Sequence, residues 1–192
     1  MEVRYLYVFP KFKTFTKRDD SSRVVSFFLL PDYLHAAKSN KSKPKIGDSL
    51  VYAFGERKGE IIDPKDVQVE LVYAFSKDSE GFVRDGSLLS QISLVRLDYE
   101  LMSEKTRKYS AENLVAVSSA CTHTGCEVSG WKADTSELVC PCHGSRFAVL
   151  EAAKVVNGPA SKPLAFLPIE IVGDEIRVRG KFSRRVGPAP TF

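Results

Sequence analysis

The chain reads CTHTGC over residues 121–126 and CPCHGS over residues 140–145. These two segments contain all four cysteines of the protein and two of its three histidines. In each segment a histidine follows a cysteine closely, His123 after Cys121 and His143 after Cys140. Thiolate sulfur and imidazole nitrogen are common ligands of transition metals in proteins. The spacing therefore predicts that the two segments close on one metal centre.

Two other kinds of site use the same residue types. Two cysteines and two histidines can form a tetrahedral zinc site, although this order of ligands is unusual for structural zinc and leaves Cys126 and Cys142 unexplained. A framework made only of disulfides would require an oxidising compartment and would leave the histidines without a purpose. Residue types and spacing alone leave both alternatives open.

The two segments resemble the signature C-T-H-x-G-C…C-P-C-H-G-S of Rieske [2Fe-2S] proteins of the disulfide-bearing, high-potential type. Known proteins with this signature include the soluble archaeal sulredoxin-like proteins and the soluble heads of cytochrome bc-type Rieske subunits. The resemblance implies one [2Fe-2S] cluster per chain, with Cys121 and Cys140 binding one iron and His123 and His143 binding the other. Two thiolates leave the oxidised cluster formally neutral, so we expect a higher potential than that of a four-cysteine ferredoxin.

The resemblance also implies roles for four residues around the cluster. Gly125 and Gly144 would turn the loops without steric cost and let the backbone approach the sulfur atoms. Ser145 matches the family serine whose hydroxyl donates to a bridging sulfide. Phe147 stands where quinol-oxidising members carry a tyrosine that donates to a cysteine sulfur. We therefore expect a potential below that of the tyrosine-bearing members.

Three further features follow from the same resemblance. Cys126 and Cys142 match the family disulfide, with a pair of buried free thiols as the alternative. Residues 158–160 resemble the third, proline-containing loop that covers the cluster, with a plain turn as the alternative. Thr124 replaces the apolar residue that quinol-oxidising members usually carry after the first histidine, which weakens the case for docking at a quinol pocket. Trp131 is expected to pack in the hairpin of the cluster region rather than to relay electrons.

Alternation of apolar and polar residues indicates an all-β chain. The predicted strands cover residues 3–9, 24–30, 49–54, 67–75, 91–101, 114–117, 169–172 and 175–179, and the last two are joined by a two-residue hairpin turn. One or two helical turns are predicted at residues 32–38 and one at residues 110–113. Together with the resemblance, this predicts an antiparallel sandwich- or barrel-like Rieske fold in one domain. Residues 1–115 and 164–192 would form its base, and residues from about 116 to 163 an inserted cluster-binding subdomain.

Charge and hydropathy exclude some classes of protein. The formal net charge is +4, from 28 basic and 24 acidic residues, which is too weak to indicate nucleic-acid binding. Lysines at residues 41–45 are interpreted as a solvated loop, with a docking patch as the alternative, and residues 181–192 as an irregular, frayed tail. No apolar run approaches the roughly 20 residues of a transmembrane helix. We therefore expect the chain as given to be soluble, and cytoplasmic, or extracytoplasmic if an anchor precedes it.

The predicted function is the transfer of one electron, with reduction coupled to a proton through the two ligand histidines. The chain would have no turnover of its own, and its partners would be a cytochrome, oxidase, reductase or quinol. The alternative is the soluble head of a membrane quinol:cytochrome oxidoreductase. A Rieske oxygenase needs a second iron site with two histidines and a carboxylate. Only His35 stands outside the motif, and it is interpreted as an ordinary surface or core histidine.

Overall fold

The computed structural model describes residues 41–189. The predicted strands at residues 3–9 and 24–30, the predicted helical turn at residues 32–38 and His35 lie outside the described residues. The observed strands are β1 (Ser49–Tyr52), β2 (Val72–Lys77), β3 (Ile92–Arg96), β4 (Leu114–Ser118), β5 (Gly130–Lys132), β6 (Glu137–Cys140), β7 (Ser145–Ala148), β8 (Lys154–Asn157), β9 (Ile169–Val172) and β10 (Glu175–Val178). Short 3-10 helices lie at Pro64–Asp66, Leu88–Ser90, Tyr99–Leu101 and Val149–Glu151, and helix α1 covers Glu104–Arg107.

The strands form two antiparallel sheets. A six-stranded sheet has the order β4-β3-β2-β1-β10-β9, and a four-stranded sheet has the order β5-β6-β7-β8. The first sheet draws on both ends of the described chain, because Ser49 of β1 pairs with Arg177 of β10. The second sheet is contiguous in sequence and is made of three successive hairpins. The expectation of an antiparallel all-β fold is therefore confirmed.

Strand β4 carries a packed core on each of its faces. All five of its residues are buried, and successive side chains of a strand point to opposite faces. Leu114 and Ala116 pack in one core with residues of β1, β3, β9 and β10. Val115 and Val117 pack in the other, together with Cys121, Cys140 and other residues of the second sheet. This shared core fixes the cysteine segments on the large sheet, since β4 leads directly into Cys121.

Two predicted strands are shorter than their alternating patterns suggested. The strand predicted at residues 67–75 begins at Val72 as β2, and Val69 is 61% exposed. The strand predicted at residues 91–101 ends at Arg96 as β3, and the Arg96 guanidinium donates to the carbonyl oxygens of Pro64 and Val67. Beyond it, the Asp98 side chain caps a 3-10 helix at Tyr99–Leu101. The side-chain cap and these long-range contacts therefore determine where the strands begin and end, in place of the alternation of apolar and polar residues.

The region between β3 and β4 differs from the prediction in its helical content. Helix α1 was not predicted, and it begins after Ser103, whose hydroxyl accepts the N–H of Thr106. The predicted helical turn at residues 110–113 is instead a tight turn in which Ala111 bridges to Leu114. Glu112 adopts a positive φ of 53° there, which a right-handed helical turn does not allow. Within residues 41–189, no helix has the length and apolar character to cross a membrane.

The β9–β10 hairpin forms as predicted. Val172 pairs with Glu175, so two residues connect the strands. Gly173 takes the first turn position with a φ of +63°, which glycine adopts without the steric cost that a side chain would add. The hairpin places β10 beside β1 and thereby extends the large sheet by two strands.

Candidate metal centre

The two cysteine segments form loops with the same backbone hydrogen bond. The N–H of Gly125 donates to the carbonyl of Cys121, and the N–H of Gly144 donates to the carbonyl of Cys140, each at 3.0 Å. Both glycines have positive φ values, +84° and +71°. A Cβ at Gly144 would meet nothing within 4 Å, so this position requires glycine for its backbone conformation and not for space. The predicted turning role of both glycines agrees with this geometry.

A disulfide bond joins the two loops. The Sγ atoms of Cys126 and Cys142 are 2.22 Å apart, and their Cα atoms are 6.5 Å apart. Thr124 lies at the exposed tip of the first loop, where its Oγ1 is 3.7 Å from Cys126 Sγ. The sulfur atoms of Cys126, Cys140 and Cys142 all lie within 4.8 Å of one another. Since two of these sulfurs are bonded to each other, these three cysteines do not form a thiolate site.

Cys121 and Cys140 are the two cysteines with free thiols, and both are buried, each 1% exposed. Burial raises the pKa of the Cys121 thiol, and its hydrogen bond with the Cys140 thiol raises it further. The backbone N–H groups of His123 and Thr124 act in the opposite direction, because they donate to the Cys121 sulfur and stabilise its thiolate. The protein therefore places two thiols side by side in an apolar pocket and directs backbone donors at one of them.

The rings of His123 and His143 lie against each other. Their centroids are 4.7 Å apart and their planes cross at 89°. His143 is exposed, whereas Nδ1 of His123 is buried and has no hydrogen-bond partner among the described residues. A buried polar atom without a partner is costly, and metal coordination would remove that cost. Two free thiols and an unpartnered imidazole nitrogen match the donor set expected for a Rieske cluster.

The loop at residues 157–160 packs directly against the second cysteine loop. Asn157 Nδ2 donates to the carbonyl of Gly144 at 3.2 Å, and the N–H of Ala160 donates to Ser145 Oγ at 3.1 Å. A Cβ at Gly158 would lie 2.5 Å from Ser145 Cα, so no larger residue fits. Ser145 is fully buried, and because its oxygen accepts from Ala160, its own hydrogen is available for donation.

Phe147 lies in the core that joins the two sheets, the same core that contains Cys121 and Cys140. It is fully buried on β7, opposite Leu138 of β6. Trp131 packs against the same core from β5, as expected for a structural side chain. Its Nε1 also donates to the carbonyl of Val69 at 2.8 Å. Trp131 therefore links the small sheet to the segment that precedes β2, a role that its sequence neighbourhood did not indicate.

Two contacts around the first loop were missed by the sequence analysis. Thr122 Oγ1 donates to the carbonyl of Lys162 at 2.6 Å. A Cβ at Gly125 would lie 3.4 Å from Pro188, so the C-terminal segment reaches the loop.

The expectation of a frayed tail is wrong for this segment, since Val186 is buried and the N–H of Ser183 donates to the backbone carbonyl of Phe166 at 2.8 Å. No local sequence signal marks these contacts, because their partners are distant in the chain.

Comparisons with known proteins place the site in a family. Residues 85–168 match the family model of the Rieske [2Fe-2S] domain. The "Cytochrome bc1 complex Rieske iron-sulfur subunit" of Streptomyces lividans is 34% identical over 137 residues, which cover 68% of this chain and 80% of that protein. The subunit of the same name from Streptomyces coelicolor is also 34% identical over 137 residues, but the match covers 38% of its length.

A solved structure is also similar in sequence. The cyanobacterial plasma membrane Rieske protein PetC3 from Synechocystis PCC 6803 is 31% identical over a region that covers 47% of this chain and 77% of that chain, with a TM-score of 0.36. The two Streptomyces relatives give no support to the archaeal part of the resemblance.

The identity shared with the Streptomyces lividans subunit extends well beyond the cysteine segments. It favours the Rieske interpretation over the zinc and disulfide-only alternatives that residue types left open. The cofactor implied is a [2Fe-2S] cluster, which carries a single electron. The chain is an electron-transfer protein and belongs to the Rieske [2Fe-2S] family.

Proposed function

We propose that Cys121 and Cys140 bind one iron of the cluster and that His123 and His143 bind the other. The observation that carries this assignment is the buried, unpartnered Nδ1 of His123, a residue whose backbone N–H donates to the buried thiol of Cys121. When bound, the cluster supplies a one-electron redox couple. His123 would bind through Nδ1, which leaves Nε2 as the nitrogen that holds a proton.

The residues around this pocket have different roles in electron transfer. The core around Cys121 and Cys140 excludes water from the thiolates. The N–H groups of His123 and Thr124 stabilise negative charge on the Cys121 sulfur. The exposed ring of His143 is the proposed entry and exit point for the electron. Its outer nitrogen, with that of His123, would take up a proton when the protein is reduced.

We further propose the division into a base and a cluster-binding subdomain at the boundaries given by the sequence. The four-stranded sheet supports this division, because its strands all fall between Gly130 and Asn157. The shared core around Val115, Val117 and Phe147 would hold the subdomain on the base.

A second candidate function is that of the iron–sulfur subunit in a cytochrome bc1-type complex. The name and extent of the Streptomyces lividans match favour it. Phe147 and Thr124 favour a freestanding carrier instead, since both depart from the pattern expected of quinol-oxidising members. Purification of the native protein from its source decides between them. A visible spectrum with b- and c-type haem in the purified fraction is expected for a complex, and its absence is expected for a carrier.

The ligand assignment is tested on protein purified with its native metal. We expect a Rieske-type EPR signal after reduction, and iron and acid-labile sulfide in equal amounts. Cys121→Ser and His123→Ala should abolish the signal, whereas Lys132→Ala, an exposed change on β5, should leave it intact. Stoichiometric zinc without sulfide would contradict the assignment.

A further inference from the structure

Six exposed cationic side chains line two adjoining cavities beside the first cysteine loop. A cavity of about 250 Å³ is lined by Lys162, Arg184 and Arg185 together with Thr122. A second cavity of about 590 Å³ shares both arginines and adds Lys43, Lys45 and Lys181. Among residues 41–189, no acidic residue lines either cavity. These six cations are called the basic surface below.

Within the described residues, no ion pair neutralises the charges of the basic surface. Several other cations form ion pairs, such as Arg57 with Asp66 and Arg84 with Asp48. The six cations of the basic surface take part in no ion pair within residues 41–189. The whole protein carries a net charge of only +4, so this surface concentrates positive charge that acidic residues offset elsewhere. Clustered like charges repel one another and create a positive potential that attracts anions.

The backbone beneath the basic surface is held in place on both sides. On the C-terminal side, the N–H of Ser183 donates to the backbone carbonyl of Phe166 at 2.8 Å, and Val186 is buried. On the other side, Arg84 Nη1 donates to the hydroxyl oxygen of Ser42 at 2.8 Å. Ser90 Oγ donates to the backbone carbonyl of Ser42 at 3.0 Å. A binding surface that is fixed before its partner arrives loses less conformational entropy on binding.

The basic surface adjoins the loop that leads to the proposed cluster. Thr122 lines the smaller cavity and lies between Cys121 and His123 in the chain. Pro188, which lines the same cavity, lies 3.4 Å from the position of a Cβ on Gly125. A protein bound here would therefore contact the first cysteine loop, which the Cys126–Cys142 disulfide joins to the loop that carries the exposed His143.

We propose that the basic surface is the docking site for an acidic face of the redox protein that exchanges electrons with this chain. The proposal rests on the proposed function and adds the chemistry of the partner. Complementary charge increases the rate of encounter more than it increases affinity. Dissolved salt screens such exposed charges over about 10 Å at 0.1 M ionic strength, so docking weakens as salt is added. Residues 41–45 then serve as part of a docking patch and not solely as a solvated loop.

The test compares two variants with equal changes in net charge. The surface variant carries Lys162→Glu, Arg184→Glu and Arg185→Glu. The control variant carries Lys105→Glu, Lys108→Glu and Lys132→Glu at exposed positions away from both cavities. Two probes are used: binding of a fluorescent oligoglutamate peptide, and the rate at which ferricyanide, an anionic oxidant, takes one electron from the reduced protein.

We expect the peptide to bind the wild-type protein at low salt and to dissociate at high salt. The surface variant should lose this binding, and its ferricyanide rate should fall about tenfold or more, within the range of electrostatic steering. The control variant should stay close to the wild-type protein in both measurements. If the surface variant loses its cluster, Arg184→Gln/Arg185→Gln replaces it, with a smaller loss expected in the same direction.

Three results would overturn the proposal. The peptide could fail to bind the wild-type protein, or both variants could lose binding and rate equally, which would assign the effect to net charge. Vesicles of phosphatidylglycerol could bind through these residues while the peptide does not, which would assign the surface to anionic lipid. EPR and iron–sulfide analysis of the wild-type protein report separately on the proposed function, and the peptide assay does not depend on them.

Discussion

Gly158 and Ser145 approach so closely that their backbones leave no room for a side chain. A Cβ at Gly158 would lie 2.5 Å from Cα and 2.7 Å from N of Ser145. The neighbouring hydrogen bond from Ala160 N–H to Ser145 Oγ keeps the third loop on the second. Replacement of Gly158 therefore disturbs the residue expected to donate to the cluster.

Gly158→Ala should destabilise the protein and shorten the lifetime of its cluster. The positive φ of +83° costs a side chain about 1–2 kcal/mol, and the backbone clash adds about 1–3 kcal/mol of overpacking. Bleaching of the visible absorbance on heating measures the effect. Gly173→Ala is the matched control, since Gly173 has a φ of +63° and an added Cβ meets nothing within 4 Å. Equal losses in the two variants would contradict the close packing of the third loop.

Cys126→Ser/Cys142→Ser should weaken the connection between the two cysteine loops. The disulfide spans 16 residues, and loss of such a crosslink costs on the order of 3 kcal/mol by chain entropy. The half-life of the cluster absorbance at elevated temperature should fall accordingly. Thiol titration of the unfolded, unreduced wild-type protein should detect Cys121 and Cys140 alone, and reaction of all four cysteines would show that no bridge forms.

Ser145→Ala should lower the midpoint potential and Phe147→Tyr should raise it. The first change removes a hydroxyl donor, and the second adds one where quinol-oxidising members have tyrosine. A hydrogen bond to a charged group contributes about 1.5–3 kcal/mol, and about 1.4 kcal/mol equals 59 mV for one electron, so each shift should be at most on the order of 130 mV. Ser93→Ala removes a buried hydroxyl that bonds Ser119 and serves as the control. Unchanged potentials in both variants would refute this account of tuning.

The potential should be independent of pH in acid and should fall as the pH becomes alkaline. If both histidines bind iron as proposed, the outer nitrogens of His123 and His143 would hold their protons more tightly in the reduced protein, because ferric iron withdraws electron density. Reduction at alkaline pH therefore takes up a proton, with a slope of about 59 mV per pH unit for one proton per electron and about twice that for two. A redox titration from acid to strongly alkaline pH measures the slope. A flat line would show that the histidines are not ligands or that water does not reach them.

Tyr73 should make the folded protein sensitive to strongly alkaline pH. Burial raises the pKa of its phenol to about 12, and the charge of Glu127 acts in the same direction. This pKa lies above the unfolded value of 10.0. The stability that depends on a neutral Tyr73 phenol is therefore fully present below pH 10 and is lost as the pH rises towards 12. Alkaline unfolding, followed by circular dichroism, should occur at higher pH in Tyr73→Phe. An unchanged midpoint would show that this ionisation does not limit stability.

The sequence predicts those parts of the structure in which a few neighbouring residues determine the conformation. The turn at Gly173 and the loop turns at Gly125 and Gly144 are of this kind, since each has a positive φ and a defined place in a short motif. The pairing of Cys126 with Cys142 came instead from resemblance to a family.

Contacts between distant residues were outside the reach of local patterns. The strand at Ile92–Arg96 ends at Arg96, whose Nε donates to the carbonyl of Val67. Alternation of apolar and polar residues along the strand does not predict this contact. The contact of Trp131 with Val69 and that of Pro188 with the first loop also join residues far apart in the chain. The same is true of the basic surface, whose cations come from three separate segments.

The two sheets differ in how far apart along the chain their paired strands lie, which bears on the order of folding. The four-stranded sheet pairs only successive strands between Gly130 and Asn157. The six-stranded sheet must bring Ser49 to Arg177, and closing so long a loop costs entropy before any contact compensates. We therefore expect the small sheet to form early, and the β1–β10 pairing to be a late, slow step. Pairing of β1 with β10 also requires residues 175–178, so during synthesis the cysteine loops can be complete before the large sheet is.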